Sequence, residues 1–287
     1  MPAARNRNRE RLAARLRAVR AAAGFSGNAL ASRLGWPQSR VSKLETGKQL
    51  PNDEQLAQWV EATAAAGDIV GELSALLAAA RVEYASWRGV ERVAGGLAAR
   101  QAELARWEAS ATRIAEYQPA MIPGLVQTAA YARELLSLPP GPAGTGPLEP
   151  PEVEALVAER MHRQEIRYEP DRSVQIVVGE AALWAPPVAV GTLRAQLGKL
   201  ETVAGLPTVE LSVIPLQAPM PAMPLAGFRL YDDTLVVIET ISGEQQLEDS
   251  EEVATYTAVL DALRSAAATG DQAVDVIRRV TRGLTRA

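Results

Sequence analysis

Between positions 38 and 43 the chain sets an amide, two hydroxyls, a guanidinium and an ammonium: Gln38, Ser39, Arg40, Ser42 and Lys43. Val41 interrupts them, and Leu44 follows three positions on. That spacing puts the two apolar residues on one side of a helix and turns the polar five outward. Arginine pairs with the O6/N7 edge of guanine and glutamine with the N6/N7 edge of adenine. The chemistry this set offers is recognition of double-stranded DNA through the major groove. Asn28, Arg33 and Lys48 flank it. Arg33 and Lys48 are expected on phosphate, which attracts any duplex without reading its sequence.

A reading helix needs elements to hold it. In residues 26–47, SGNALASRLGWPQSRVSKLETG, Ser26 is suited to N-cap a helix. Leu30, Ala31 and Leu34 recur at helical spacing, and Gly35 can take the left-handed conformation that ends the turn. Pro37 is expected to open the next helix at its first position. Glu45 is expected to cap or pair inside a bundle, away from DNA. Upstream, residues 9–23 form a basic amphipathic helix with Leu12, Leu16 and Val19 as its stripe. Its arginines are read as phosphate contacts, with a solvated face or a membrane surface as the other uses of such a helix. Arg5, Arg7 and Arg9 are placed on an arm directed at phosphate or a minor groove. Two more helices follow, at 53–65 with Leu56, Trp59 and Val60 inward, and at 69–80 with Ile69, Val70, Leu73, Leu76 and Leu77. The latter suits a bundle core or a dimer seam. Proteins of this class commonly pair, because a twofold protein matches two half-sites, so a homodimer is expected.

The segment resembles the lambda-repressor-like (XRE-type) helix-turn-helix, and within it actinobacterial regulators with SQSxVSxxE at the recognition helix. Here that signature stands as Pro37-Gln38-Ser39-Arg40-Val41-Ser42-Lys43-Leu44-Glu45. The family carries a glutamine directly after the cap of the preceding helix, where this chain has Gly27 and then Asn28. The resemblance continues downstream. Residues 116–135, EYQPAMIPGLVQTAAYAREL, are similar to the signature of a large C-terminal domain of uncharacterised function in those regulators. Met161-His162-Arg163-Gln164 resembles its RxxRQ segment, and Val177 to Leu183 its strand ending in EAAL. Gln196-Leu197, Val213-Ile214-Pro215 and Gly227-Phe228 match its QLxxL, VxVxP and GxF segments. The resemblance implies an antitoxin-like regulator whose C-terminal domain binds a small partner protein that modulates DNA binding.

With 287 residues, two domains are expected, and a 47% hydrophobic content excludes wholesale disorder. A net charge of −4 by itself speaks against a nucleic-acid binder. Its distribution reverses that: residues 1–50 carry 11 Lys and Arg against 2 Asp and Glu, and the remainder 19 against 32. There is no cysteine, hence no disulfide or thiolate metal site. No signal-peptide core follows the N-terminal arginines, and no run approaches the roughly 20 apolar residues that cross a bilayer. A cytoplasmic protein, nucleoid-associated when on DNA, is expected.

The expected fold class is α+β overall: an all-α, five-helix DNA-binding domain over 1–80, a linker over 81–96, and a mixed α/β domain with a small sheet over 97–287. Within the last, helices are expected at 97–111, 125–137, 152–168, 190–204, 250–267 and 271–282. Strands are expected at 114–117, 173–178, 208–214, 227–231 and 234–240, the last two a hairpin about Asp232-Asp233. Residues 139–151, PPGPAGTGPLEPP, read as a loop.

Catalytic candidates are few. His162 is the one histidine and has no partner at ligand spacing. Glu180 ends a strand, where α/β ligand sites lie, but equally suits the start of a helix. Asp232-Asp233 fits a turn, and Glu248-Asp249-Glu251-Glu252 a helix N-terminus. The chain is therefore expected to be no enzyme and to need no metal or cofactor; an enzyme with a DNA-targeting head is the remote alternative. A repressor answering a small molecule bound under the IPGL loop, near Tyr117, Met121 and Trp184, competes with the partner-protein reading.

Overall fold

A computed structural model describes residues 7–86, 96–138, 148–184, 187–223, 226–240 and 243–284. Arg5, Trp87, Gly95 and the loop residues 139–147 lie outside them. The chain divides into two compact units, residues 2–84 and 85–287.

The first unit is all helical up to its last few residues: α1 (Arg7–Ala22), α2 (Gly27–Leu34), α3 (Gln38–Glu45), α4 (Asp53–Thr63) and α5 (Gly67–Arg81). Its core is one cluster containing Leu12, Leu16, Val19, Leu30, Val41, Leu44, Leu56, Trp59, Leu73 and Leu77. The apolar stripe of every helix contributes, which is what the 3.6-residue period demands. Ser26 caps α2 by accepting from the Ala29 amide at 3.1 Å. Asn52 and Gln55 form a reciprocal capping box on α4. Three expectations shift. Arg7 and Arg9 belong to the first turn of α1 and not to an extended arm. Pro37 is the N-cap of α3 and not its first residue, because its ψ of 139° is extended while its carbonyl already accepts from Arg40. The leucines of α5 serve the bundle, since Leu73 and Leu77 lie in the core and Leu76 packs against it.

The second unit is a mixed α/β domain. Its own strands form one sheet in the order β7-β6-β5-β2-β3-β4-β8, and a further strand, β1, spans the division between the units. These are β1 (Val82–Ser86), β2 (Arg113–Gln118), β3 (Ser173–Gly179), β4 (Val209–Ile214), β5 (Phe228–Tyr231), β6 (Leu235–Thr240), β7 (Gly243–Leu247) and β8 (Ala268–Thr269). The expected linker is thus partly ordered: Arg81 ends α5 and 82–86 is a strand. Strands β2, β3 and β4 are parallel, in register Arg113↔Ser173 and Val174↔Val209. β5 runs antiparallel to β2, and β6 and β7 continue as a meander. The hairpin at Asp232-Asp233 forms as expected: Tyr231 pairs Leu235, and Asp232 takes a φ of +50°.

The helices are α6 (Gly96–Ser110), α7 (Ala129–Leu136), α8 (Pro150–Arg163), α9 (Ala181–Trp184), α10 (Val190–Val203), α11 (Ser250–Ser265) and α12 (Gly270–Gly283). Alternation along the strands sorts them. Ile114, Val174, Ile176, Val178, Leu211 and Val213 point to a core shared with α10 and α12 through Leu193, Leu197, Ile277 and Val280. Tyr117 points to the other face, where Phe228 stacks on Tyr256 of α11. The helix expected at 125–137 begins late. Gly124–Val126 is a single 3-10 turn, Gln127 is extended, and Thr128 caps α7. The helix expected to 168 ends at Arg163 and continues as a 3-10 turn, Gln164–Tyr168.

Candidate nucleic-acid interface

The candidate reading helix α3 meets α2 through a turn that the sequence dictates. Gly35 sits at φ +68°, the left-handed position that glycine adopts without a Cβ clash. The Trp36 amide returns to the Ala31 carbonyl at 2.9 Å and closes α2. α3 then buries Val41 and Leu44 at 1% exposure each and leaves Gln38, Ser39, Ser42 and Lys43 exposed. Asn28, Arg33 and Lys48 are exposed as well.

Arg40 is half-buried because its guanidinium lies over the Trp36 ring, 5.5 Å from the centroid. Trp36 is itself braced by buried Trp59, with centroids 6.4 Å apart. Arg33 stacks at the same 5.5 Å over Phe25. A stacked guanidinium has fewer rotamers to lose when it meets a base or a phosphate. Sequence reasoning misses Trp36 and Phe25. The signal that could have found the first is its place directly before the Pro37 cap, where an apolar residue lies against the first turn of the helix that follows.

The cations of this unit fall into two sets. Arg15 pairs with Glu72 at 2.6 Å and Arg81 with Asp53 at 3.0 Å. Arg17 donates to the Glu45 carbonyl at 2.7 Å. Arg20 grips both Glu45 oxygens at 2.5 and 3.1 Å and donates to the Phe25 carbonyl. The Glu45 hydrogen bond raises the pKa of Arg20. Glu45 is thus a buried partner that anchors the C-terminal end of α3 to α1. The α1 arginines expected on phosphate include three, Arg15, Arg17 and Arg20, that brace the bundle. By contrast, Arg33, Arg40, Lys43 and Lys48 form no ion pair among the described residues. Among the described residues these unmatched cations lie on α2, on α3 and just after it, with exposed Arg11 on α1 as a further one.

The candidate ligand residues of the second unit are not brought together. Tyr117 packs on Phe228, with ring centroids 5.9 Å apart, on one face of the sheet. Trp184 lies with α12, on the other: its indole donates to Glu180 at 3.1 Å and its ring fills the space a Cβ on Gly283 would need. Met121 is exposed. Strand alternation separates what nearness in the loop had joined. Glu180 accepts from Trp184, from the Leu216 amide at 3.0 Å and from Arg279 at 3.0 Å. Burial alone would raise its pKa, but these donors outweigh it and the net shift is downward. Asp232 accepts from the Thr112 and Arg113 amides at 3.0 and 2.8 Å, which ties the hairpin to β2. Asp249 caps α11. His162 is exposed beside Glu165.

Residues 101–279 match the family described as "Domain of unknown function (DUF5753)". Residues 11–73 match one described as "Helix-turn-helix domain". No curated protein matches the chain. Among solved structures it is similar to TrmBL2, titled an archaeal chromatin protein with a novel mode of DNA binding, at 13% identity. That likeness covers 85% of this chain and 87% of the other, with a TM-score of 0.33, and carries no weight for fold or function. No helix among the described residues is long and apolar enough to cross a membrane.

Proposed function

Since the chain belongs to the DUF5753 family through its second unit and heads it with a helix-turn-helix domain, we propose that it is a sequence-specific DNA-binding transcriptional regulator. The observation that carries this reading is the division of cations: those bracing the bundle have partners, while Arg33, Arg40, Lys43 and Lys48, on and beside α3, have no ion pair among the described residues. In this reading α3 enters the major groove, with Gln38, Arg40 and Lys43 at base edges and Ser39 and Ser42 beside them. Arg33, Lys48 and Asn28 hold the flanking phosphates. The protein acts as a homodimer on half-sites about one helical turn apart.

The second unit decides when DNA is occupied. Leu216, Met220 and Met223 stand exposed on the segment between β4 and β5, at 61, 49 and 86%. Exposed methionines suit an adaptable protein contact, which favours a small partner protein over catalysis as the role of this unit. The deciding experiment is selection of bound duplexes from a random pool by the full chain. Enrichment of a twofold motif is expected; a pool that stays random through successive rounds overturns the proposal.

A further inference from the structure

Around the loop after β2 the second unit encloses more positive than negative charge. Arg163 and Arg167 are buried, and Arg160 and Lys199 half-buried. Arg163 has a carboxylate, Glu108, at 2.7 Å. The other three donate to neutral amide oxygens. Arg160 reaches Gln127 Oε1 at 2.8 Å; Arg167 and Lys199 share Gln164 Oε1 at 3.0 and 2.8 Å; Lys199 also meets the Gln127 carbonyl at 3.0 Å. An amide oxygen satisfies a donor but cancels no charge. Nε of Arg160, Nε of Arg163 and Nη1 of Arg167 are buried with no hydrogen-bond partner among the described residues.

The other charged groups that act on the cluster are Arg229, Glu116 and Glu239. Arg229 is matched by Glu116 at 2.9 and 3.1 Å. Glu108 and Glu239 are left against four cations, two charges short. The surplus bears on the two half-buried groups. Burial, with Arg163 and Arg229 nearby, pushes Arg160 down to about 10; burial and Arg167 push Lys199 down to about 8. A buried, uncompensated cation is costly, so such a surplus marks a place for a counter-charge.

The position suits a ligand. The loop follows the carboxyl end of a parallel strand, where open α/β sheets bind their ligands. It is rigidly held: buried Gln196 accepts from the Thr128 amide at 2.6 Å and donates to the Val126 carbonyl at 2.8 Å. Gln164 Nε2 donates to the Gly124 and Gln127 carbonyls, both at 2.8 Å. Arg160 and Lys199 keep part of their surface accessible, whereas Arg163 and Arg167 are buried.

We propose that this cluster binds a doubly charged oxyanion of the phosphate-monoester class, seated between Arg160 and Lys199 in place of the Gln127 and Gln164 amide oxygens. Guanidinium forks match pairs of phosphate oxygens. A dianion cancels both surplus charges, a monocarboxylate only one.

The test is calorimetric titration of the full-length protein at neutral pH with inorganic phosphate and with phenyl phosphate, against acetate at equal ionic strength. Saturable binding of the two phosphates is expected, with acetate at least roughly tenfold weaker and Lys199→Met weakening phosphate by a similar factor. Sulfate, doubly charged throughout, serves for the pH arm. Its affinity should fall in the wild type as pH rises through about 8, and stay level in Lys199→Met. Absence of saturable binding, acetate binding as tightly, or unchanged affinity in Lys199→Met overturns the proposal. Tighter phenyl phosphate than phosphate identifies an ester, and the reverse identifies the free ion. Arg160→Gln is the second variant; if it does not fold, Lys199→Met decides alone. No DNA enters the measurement, so its failure is distinct from failure of the DNA-binding reading.

Discussion

Arg40 illustrates how much one side chain depends on its neighbours. Its charge is unmatched, and its plane is held by Trp36, which leans on Trp59. A guanidinium presented this way suits the bidentate edge of guanine. Arg40→Ala should cost about 1–3 kcal/mol of specific binding and relax one position of the selected site, measured by competition among single-base variants. Unchanged affinity and selectivity would remove α3 from the role of reader. Arg33→Ala or Lys48→Ala should weaken all sequences alike and reduce the slope of log K against log salt by roughly 0.9 for each phosphate that the native side chain neutralises. A slope equal to that of the wild type would place both residues off the DNA.

At the scale of elements, two of the family-like motifs of the second unit, through Gln164 and Gln196, support one loop. Gln196 holds Thr128 and Val126; Gln127 donates to the Ile122 carbonyl at 2.7 Å; the Ile122 amide meets the Tyr131 hydroxyl at 3.4 Å. Gly227 is needed for the same reason, since a Cβ there would stand 2.5 Å from Gln118 Oε1 and 3.0 Å from the Tyr117 carbonyl. Gln196→Leu keeps the volume but strands the buried Val126 carbonyl and the half-buried Thr128 amide. It should lower stability by about 2–4 kcal/mol, seen as a lower denaturant midpoint at unchanged m value. A loss of a few tenths would mean that the loop finds other partners.

Across the whole molecule, titration should shape stability at both ends of the pH range. Lys199 has a depressed pKa in the fold, so the unfolded chain binds the extra proton between about 8 and the usual value of 10.5. Stability from this group therefore rises with pH across that window. Glu180 and Asp232 are shifted to favour their charged forms. Burial opposes the charge of each, but amide and side-chain donors outweigh it, with Arg279 also acting on Glu180. Their contribution is present above the ordinary carboxylate values of 4.5 and 3.8 and is lost as pH falls below them. Denaturant midpoints across pH check both limbs, and Lys199→Met should flatten the alkaline rise alone. An alkaline rise that survives this substitution belongs to another group.

The local grammar of the chain is legible without coordinates. The cap at Ser26, the left-handed Gly35, the stripe of α1 and the hairpin at Asp232-Asp233 all follow from neighbours within a few residues, where backbone preference and periodicity act. So do the set of exposed polar residues on α3 and the inward placing of Glu45. Which arginine braces the bundle and which stays unmatched is not legible, because Arg20 and Glu45 lie 25 residues apart and meet only when α1 crosses α3. Nor is the separation of Tyr117 from Trp184, which the pleat of β2 decides. The cations around Gln127 and Gln164 come from α8, the turn after it and α10. Sequence sets the type and local spacing of charges; only the packed chain sets which of them share a low-dielectric space, and Coulomb energy depends on that distance and that medium.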